Sequence, residues 1–279
     1  MKITNKMGLP EALVQAVSTQ KHNKDGQYSA TTLLKGACET VLTKRHWDEI
    51  EVDASESIWT VFGTATHSIF EKQKDNTFKE EQFSVPVGNS IVTGRVDSYD
   101  LETETIVDWK TASIWKVQFN DFSDWYKQGM VYAWLMKKSG LNVKRCKFIA
   151  LLKDHSKSKA RQSAEYPQSP VHIYQFDVTE KALQDIEAFI TNKVQELELA
   201  EKVADESLIP CTAEERWATA DKWAVMKKGL KKALKLFDTE EDAKNYLKSS
   251  DEYVEFRQGE SKKCEDYCNV CQWCPFCKK

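Results

Sequence analysis

The chain has 279 residues, with 40 Lys plus Arg against 43 Asp plus Glu and a formal net charge of −3. No apolar run approaches the ~20 residues a helical bilayer span needs, which excludes a chain that crosses a membrane as a helix. With 41% hydrophobic residues, 9 Trp and 12 Phe it can bury a core, and with only 10 Gly and 6 Pro it is neither disordered nor collagen-like.

Residues 1–27 are polar, apart from a short apolar helix expected over 10–17. The first residues, Met1-Lys2-Ile3-Thr4-Asn5-Lys6, carry no signal-peptide core, so a cytoplasmic location is expected. The run 28–34 predicts the start of an amphipathic helix capped by Ser29 or a neighbour, with Cys38 further along it. A second helix is expected over 55–74, with Ser57 as cap and Ile58, Phe62, Ala65 and Ile69 on one apolar stripe. Three strands follow over 81–87, 91–99 and 103–110, the first two separated by a turn at Gly88-Asn89. A helix over 121–138 ends before Gly140, a suitable C-cap. Strands are expected over 144–152 and 171–178, around a polar loop, and a long acidic amphipathic helix over 179–208.

Beyond Pro210 the composition changes. Residues 216–235 hold seven basic side chains against one acid, Asp221. The pattern from Trp223 to Phe256 reads as a small β-β-α-β module. A cysteine-rich tail follows, and there is no internal repeat.

The strand Thr105-Ile106-Val107-Asp108-Trp109-Lys110 places Asp108 and Lys110 on one face, because side chains alternate along a strand. Asp-x-Lys alone is weak, since Asp242-Ala243-Lys244 repeats it inside an expected surface helix. The neighbouring hairpin strand carries Gly94-Arg95-Val96-Asp97. A carboxylate from each of two adjacent strands can converge on one divalent cation, and oxygen ligands suit Mg²⁺ or Mn²⁺. Such an ion polarises a phosphodiester and acidifies bound water, while an ammonium at Lys110 offsets developing charge. Upstream, His67 and Glu71 lie four residues apart on the polar face of their helix, beside Gly63 and Thr64. Downstream, Gln128 and Tyr132 repeat that spacing. An exposed histidine on a polar face and a tyrosine packed beside an amide are the ordinary alternatives.

In this order, Gly-x-x-x-His-x-x-x-Glu, Gly-x-x-Asp, Asp-x-Lys and Gln-x-x-x-Tyr, the motifs resemble the RecB-type branch of the PD-(D/E)XK nucleases. The resemblance covers roughly 28–178. It implies an α/β, restriction-endonuclease-like fold, with a mixed central sheet flanked by helices, and metal-dependent cleavage of DNA. By matching positions it implies His67, Asp97, Asp108 and the main-chain carbonyl of Trp109 as metal ligands. Lys110 becomes the catalytic lysine, Gln128 and Tyr132 organise the site or contact DNA, and Glu71 is a partner of the ligands. The organisation expected is an N-terminal extension over 1–27, a nuclease core over 28–208, the basic module over 209–260 and the tail over 261–279.

Of eight cysteines, Cys264, Cys268, Cys271, Cys274 and Cys277 fall in the last sixteen residues. In a reducing compartment so dense a cluster predicts metal binding rather than disulfides. Cys264, Cys268 and Cys274, with Cys38 far upstream, are similar to the 4Fe–4S ligands of RecB-type nucleases, among them the AddB subunit and CRISPR-adaptation exonucleases. The first gap is three residues here rather than two, so Cys271 and Cys277 remain as lesser candidates. The alternative is a Zn²⁺ site from Cys264, Cys268, Cys271 and Cys274. Cys146 and Cys211 are expected to be structural. In the basic module Lys227, Lys228, Lys231 and Lys232, with Trp217 and Trp223 nearby, fit contacts to a phosphate backbone, the alternatives being a solvated hairpin or a protein-binding one.

These features predict a Mg²⁺- or Mn²⁺-dependent deoxyribonuclease, an exonuclease of recombination or DNA processing, of phage or mobile-element type. DNA and a recombination or helicase protein are its expected partners, with no membrane. The competing readings are a non-catalytic DNA-binding adaptor and an RNA-directed nuclease.

Overall fold

The computed structural model describes residues 1–18, 25–73 and 77–277. In chain order, β1 (Lys2–Thr4), α1 (Glu11–Val17), β2 (Gln27–Ser29), α2 (Ala30–Leu33), α3 (Ala37–Arg45) and β3 (Glu51–Asp53) precede α4 (Ile58–Glu71). Then come β4 (Thr77–Val87), β5 (Ser90–Asp100), β6 (Thr105–Ala112), α5 (Ile114–Gln118) and α6 (Ser123–Lys138). They are followed by β7 (Arg145–Leu152), α7 (Lys157–Gln162), β8 (Val171–Asp177) and α8 (Glu180–Ala200). The C-terminal part holds β9 (Lys222–Lys227), β10 (Lys235–Phe237), α9 (Glu240–Tyr246) and β11 (Glu252–Arg257).

The strands and the helix before Gly140 form close to their expected limits, and so does the β-β-α-β module, whose β9 is central between β10 and β11. Three expectations are corrected. The helix from residue 28 is broken: Gln27–Ser29 pairs with β5, and Ser29 Oγ accepts from Thr32 N to cap a single turn, α2. Extended backbone at Gly36 then starts α3, so Cys38 lies in that helix's first turn. The long helix stops at Ala200 rather than 208, because the Arg45 guanidinium takes the carbonyls of Ala200, Glu201 and Val203. The loop over 154–170 contains α7, capped by Ser156. β1, within the segment 1–27, pairs in parallel with β3.

The main sheet is mixed, in the order β2-β5-β6-β7-β8, with β4 on the remaining edge of β5. β6 and β7 are parallel along their whole length, and α6 connects them. On β5, β2 covers residues 91–93 of one edge and β6 covers residues 98–100. Asp97 lies between those two pairings, where the edge is open to side chains. α6 crosses β5 closely: a Cβ on Gly94 would stand 2.6 Å from Leu135 Cδ1 and 3.0 Å from the Tyr132 ring. That contact explains the glycine of Gly-x-x-Asp. The main core joins Val92, Ile106 and Phe148 of the sheet to Met130, Val131 and Leu135 of α6 and Ile190 and Leu197 of α8.

Helix α4 turns its apolar stripe away from the sheet. Trp59 is 57% and Ile69 59% exposed, with Phe62 also outside, while Thr66 is buried and Phe70 stacks on Trp109 of β6 at 4.1 Å. The apolar stripe faces solvent and the side carrying His67 faces the sheet. No helix among the described residues is long and apolar enough to cross a membrane.

A second, smaller core gathers Cys38, Val41 and Leu42 of α3 with Val52, Leu208 and Val270. Ion pairs fix its rim. Lys263 meets Glu39 at 2.5 Å, and buried Lys193 on α8 meets Glu196 and Glu215, each at 2.8 Å. Removing one partner of such a buried pair strands the other's charge. Lys193→Ala is therefore expected to lower stability by about 3 kcal/mol, read from the urea unfolding midpoint; a loss of less than about 1 kcal/mol would show the pair to be solvated.

Candidate active site and cysteine cluster

β5 and β6 carry the acidic groups side by side. Asp97 Oδ2 accepts from Trp109 N at 2.9 Å and stands 3.2 Å from His67 Nδ1 on α4. Asp108 is 1% exposed, with Oδ2 2.6 Å from Lys110 Nζ. That approach is poorly directed, and Oδ2 is left without a hydrogen bond. The predicted sharing of one strand face by Asp108 and Lys110 holds. Trp109 turns the other way, against α4.

One residue escaped the sequence reading. Glu80 lies in β4 across from Asp97, with φ +54°, a left-handed conformation costly for a residue with a side chain. His67, Glu80 and Asp97 each offer a ligand atom within 4.8 Å of the others. Asp108 lies outside that group of three, paired with Lys110, though near enough that the charge of Asp97 raises the cost of ionising it. Glu71, the expected partner, is exposed at the end of α4. Nothing in the run Lys79-Glu80-Glu81 separates Glu80 from an ordinary solvated strand residue. Only its backbone conformation and its register opposite Asp97 do.

The electrostatics fit a cation. Burial pushes the Asp108 carboxyl up to about 6, Lys110 opposing and Asp97 adding to the shift. Burial and Asp97 raise Glu80, and the hydrogen bond to Asp97 raises His67. Crowded carboxylates hold protons in this way when no other positive charge neutralises them. Mixed oxygen and imidazole donors and an orphaned buried carboxylate oxygen suit a hard divalent ion. Behind the acids, Gln128 Nε2 donates to Tyr132 Oη at 2.8 Å, both side chains being buried on α6.

The sequence profile of the PD-(D/E)XK nuclease superfamily matches residues 9–275. The chain belongs to that superfamily. No curated protein matches it in sequence. Among solved structures it is similar to SSO0001, at 14% identity and a TM-score of 0.46 over 66% of this chain and 83% of that one. It is similar to the alkaline exonuclease LHK-Exo of Laribacter hongkongensis, at 12% identity and 0.41 over 62% and 89%. A putative exonuclease of Eubacterium rectale gives 14% and 0.32 over 67% and 72%.

The second constellation of this superfamily member is sulfur. Cys38, Cys264, Cys268 and Cys274 line one cavity, with Cys38 Sγ 3.9 Å from Cys274 Sγ. Cys211, expected to be structural, lines the same cavity and hydrogen-bonds to Cys38, which draws the Cys211 thiol down to about 7. A side chain at Gly36 would collide with its sulfur. One expectation is corrected. Cys271 and Cys277 are joined in a disulfide, with Cα atoms 5.3 Å apart, a spacing that a turn within the tail brings into bridging range. Cys146 is structural as expected, with Sγ donating to Gly129 O inside the main core.

In the β-β-α-β module, Lys227, Lys228, Lys231 and Lys232 follow one another through the turn after β9, where Gly229 has φ +86°. Lys222 pairs with Asp238, whereas those four have no carboxylate partner among the described residues.

A carboxyl whose folded-state value lies above its unfolded one holds its proton more tightly when folded. Asp108 therefore subtracts stability from the metal-free protein as pH rises from ~4 through about 6. In EDTA at about pH 7.5, Asp108→Asn is expected to melt several degrees above the native chain, the difference closing toward pH ~4. A native chain that melts higher at the upper pH would overturn this account.

Proposed function

We propose that this chain is a Mg²⁺- or Mn²⁺-dependent DNA exonuclease of the RecB-type branch, acting in the cytoplasm in recombination or DNA processing and phage-encoded in origin. The observation that carries the reading is the grouping of His67, Glu80 and Asp97 beside the buried Asp108–Lys110 pair. His67, Asp97 and Asp108 would hold the cation, with Glu80 added and the Trp109 carbonyl a further donor. When bound, the ion supplies Lewis-acid stabilisation of the phosphate and acidifies water for attack. Lys110, held by Asp108, offers its ammonium to the negative charge that grows on phosphate oxygens in the transition state. Gln128 and Tyr132 keep the α6 side of the site in register. Lys227, Lys228, Lys231 and Lys232 would bind the DNA backbone away from the reacting phosphate. The proposed protein partner is a recombination or helicase component.

With end-labelled linear DNA and Mn²⁺, Asp97→Asn and Lys110→Ala are each expected to cut hydrolysis by about 10²–10³-fold, the scale for losing one transition-state donor. Undiminished cleavage by both variants would refute the assignment. A parallel RNA substrate hydrolysed faster than DNA would favour the RNA-directed reading.

For the cysteines we propose a 4Fe–4S cluster on Cys38, Cys264, Cys268 and Cys274. Thiolates are the ligands such clusters take. Among the described residues no three of these sulfurs lie within 4.8 Å of one another. One tetrahedral zinc ion with ~2.3 Å bonds would hold its four sulfurs about 3.8 Å apart, a separation that the Cys38–Cys274 pair already has. Protein purified without oxygen is expected to be brown and to lose its iron in Cys38→Ala. A colourless, zinc-containing protein would replace the cluster with the tail-only zinc site.

A further inference from the structure

Two exposed aromatic pairs flank the end of β6, immediately beyond Lys110. On α4, Trp59 and Phe62 stand edge to face at 6.5 Å. On and just after α5, Trp115 and Phe119 stack at 5.5 Å, and Phe119 is 73% exposed. Thr111, the residue after Lys110, joins the two. A Cβ on Gly63 of α4 would stand 3.8 Å from Thr111 Oγ1, and Thr111 lines a surface depression with Ser113, Trp115, Lys116 and Phe119. Lys153 completes the rim: its backbone N–H bonds to Ala112 O at 3.0 Å, and its ammonium lies 4.0 Å from the centre of the Trp59 ring. Lys153 makes no ion pair within 4.0 Å among the described residues, its charge acting only at longer range on Asp154, whereas Lys116 is held by Asp124 at 2.6 Å.

Aromatic faces left in water at a site mouth need an occupant of matching chemistry. A folded core would have taken the α4 stripe inward. Here the polar side faces the sheet because His67 must reach Asp97, and the rings are left outside. Bases in a duplex stack on one another and hide their faces, while an unpaired strand exposes a π face at every nucleotide and a phosphate between each. Rings and an ammonium that lies over one of them, continuous with the strand that bears Lys110, match the second of these.

We infer that Trp59 and Trp115, with Phe62, Phe119 and Lys153, form a stacking platform for unpaired bases, so that the substrate class is single-stranded DNA or a frayed, single-stranded end. This rests on the nuclease reading for its position at the site, but its test does not depend on cleavage.

Binding is measured by fluorescence anisotropy in EDTA, with labelled oligo-dT and a blunt duplex of the same length. The full chain is expected to bind oligo-dT about tenfold more tightly than the duplex. Trp59→Ala and Trp115→Ala should each weaken oligo-dT binding about tenfold, duplex binding moving less than about twofold, and Trp115→Phe should restore most of the loss. Both rings are exposed, so melting temperatures should hold. Equal affinity for the two DNAs, or alanine variants that bind oligo-dT normally, would overturn the platform. So would a chain dimer, seen by size-exclusion chromatography, that Trp59→Ala dissociates without changing oligo-dT binding. If Lys110→Ala abolishes cleavage while the tryptophan variants bind normally, the nuclease stands and the platform falls. If no DNA is cleaved yet the variants lose oligo-dT, the platform stands as a binding site and the nuclease falls.

Discussion

Asp108 carries a carboxylate into the interior on β6, 1% exposed, with a single ammonium 2.6 Å away to offset it. A buried charge is tolerated only where neighbours supply compensation, and one poorly directed contact supplies it incompletely. The surrounding structure is arranged around that deficit. Helix α6 closes on β5 at Gly94 and brings the Gln128–Tyr132 hydrogen bond behind the acids. Opposite, α4 turns its histidine rather than its apolar stripe toward the sheet. Glu80 adds a third acidic group from a strained backbone position. Crowded acids, a displaced apolar face and a left-handed glutamate each oppose stability, and such costs collect where a site must be held ready for a ligand.

The ends of the described chain are brought together by a different device. β1 and β3, the first turns of α3 and the cysteine tail share the small core around Cys38, Leu42 and Val270. His46 stacks on Trp273 at 4.4 Å, and Lys263 reaches across to Glu39. Closing so long a loop costs chain entropy that grows only slowly with length, so a few strong cross-links serve as well here as they would over a shorter span. The sulfur cavity lies within this clasp. Cys211 enters it through the segment that the Lys193–Glu215 ion pair ties to α8.

Helix α4 shows how amphipathicity can point the wrong way. Periodicity identifies an apolar face and a polar face, but which one meets the protein depends on what else the neighbours require. The polar side of α4 is needed at the acidic strands, and the rings left outside border the same strand end as Lys110. An apolar helix face need not be a core face when a ligand can cover it.

Much of the molecule was legible along the chain. Alternation gave the strands of the hairpin and the shared side of Asp108 and Lys110; Ser29, Gly140 and the Gly88-Asn89 turn marked boundaries through local backbone chemistry. The order of the motifs placed His67, Asp97, Asp108 and Lys110 in one superfamily, and Cys38 was paired with the tail. These features depend on residues close in sequence or on spacing within an element. What remained belongs to contacts between distant segments. Glu80 entered the site by register with Asp97 and a left-handed φ, and Cys211 by its approach to Gly36 and Cys38. The Cys271–Cys277 bridge depended on a turn in the tail, the stop at Ala200 on Arg45 from another helix, and the outward face of α4 on the acids beneath it. None of these has a local signature, because each is decided by which surfaces meet once the sheet has closed.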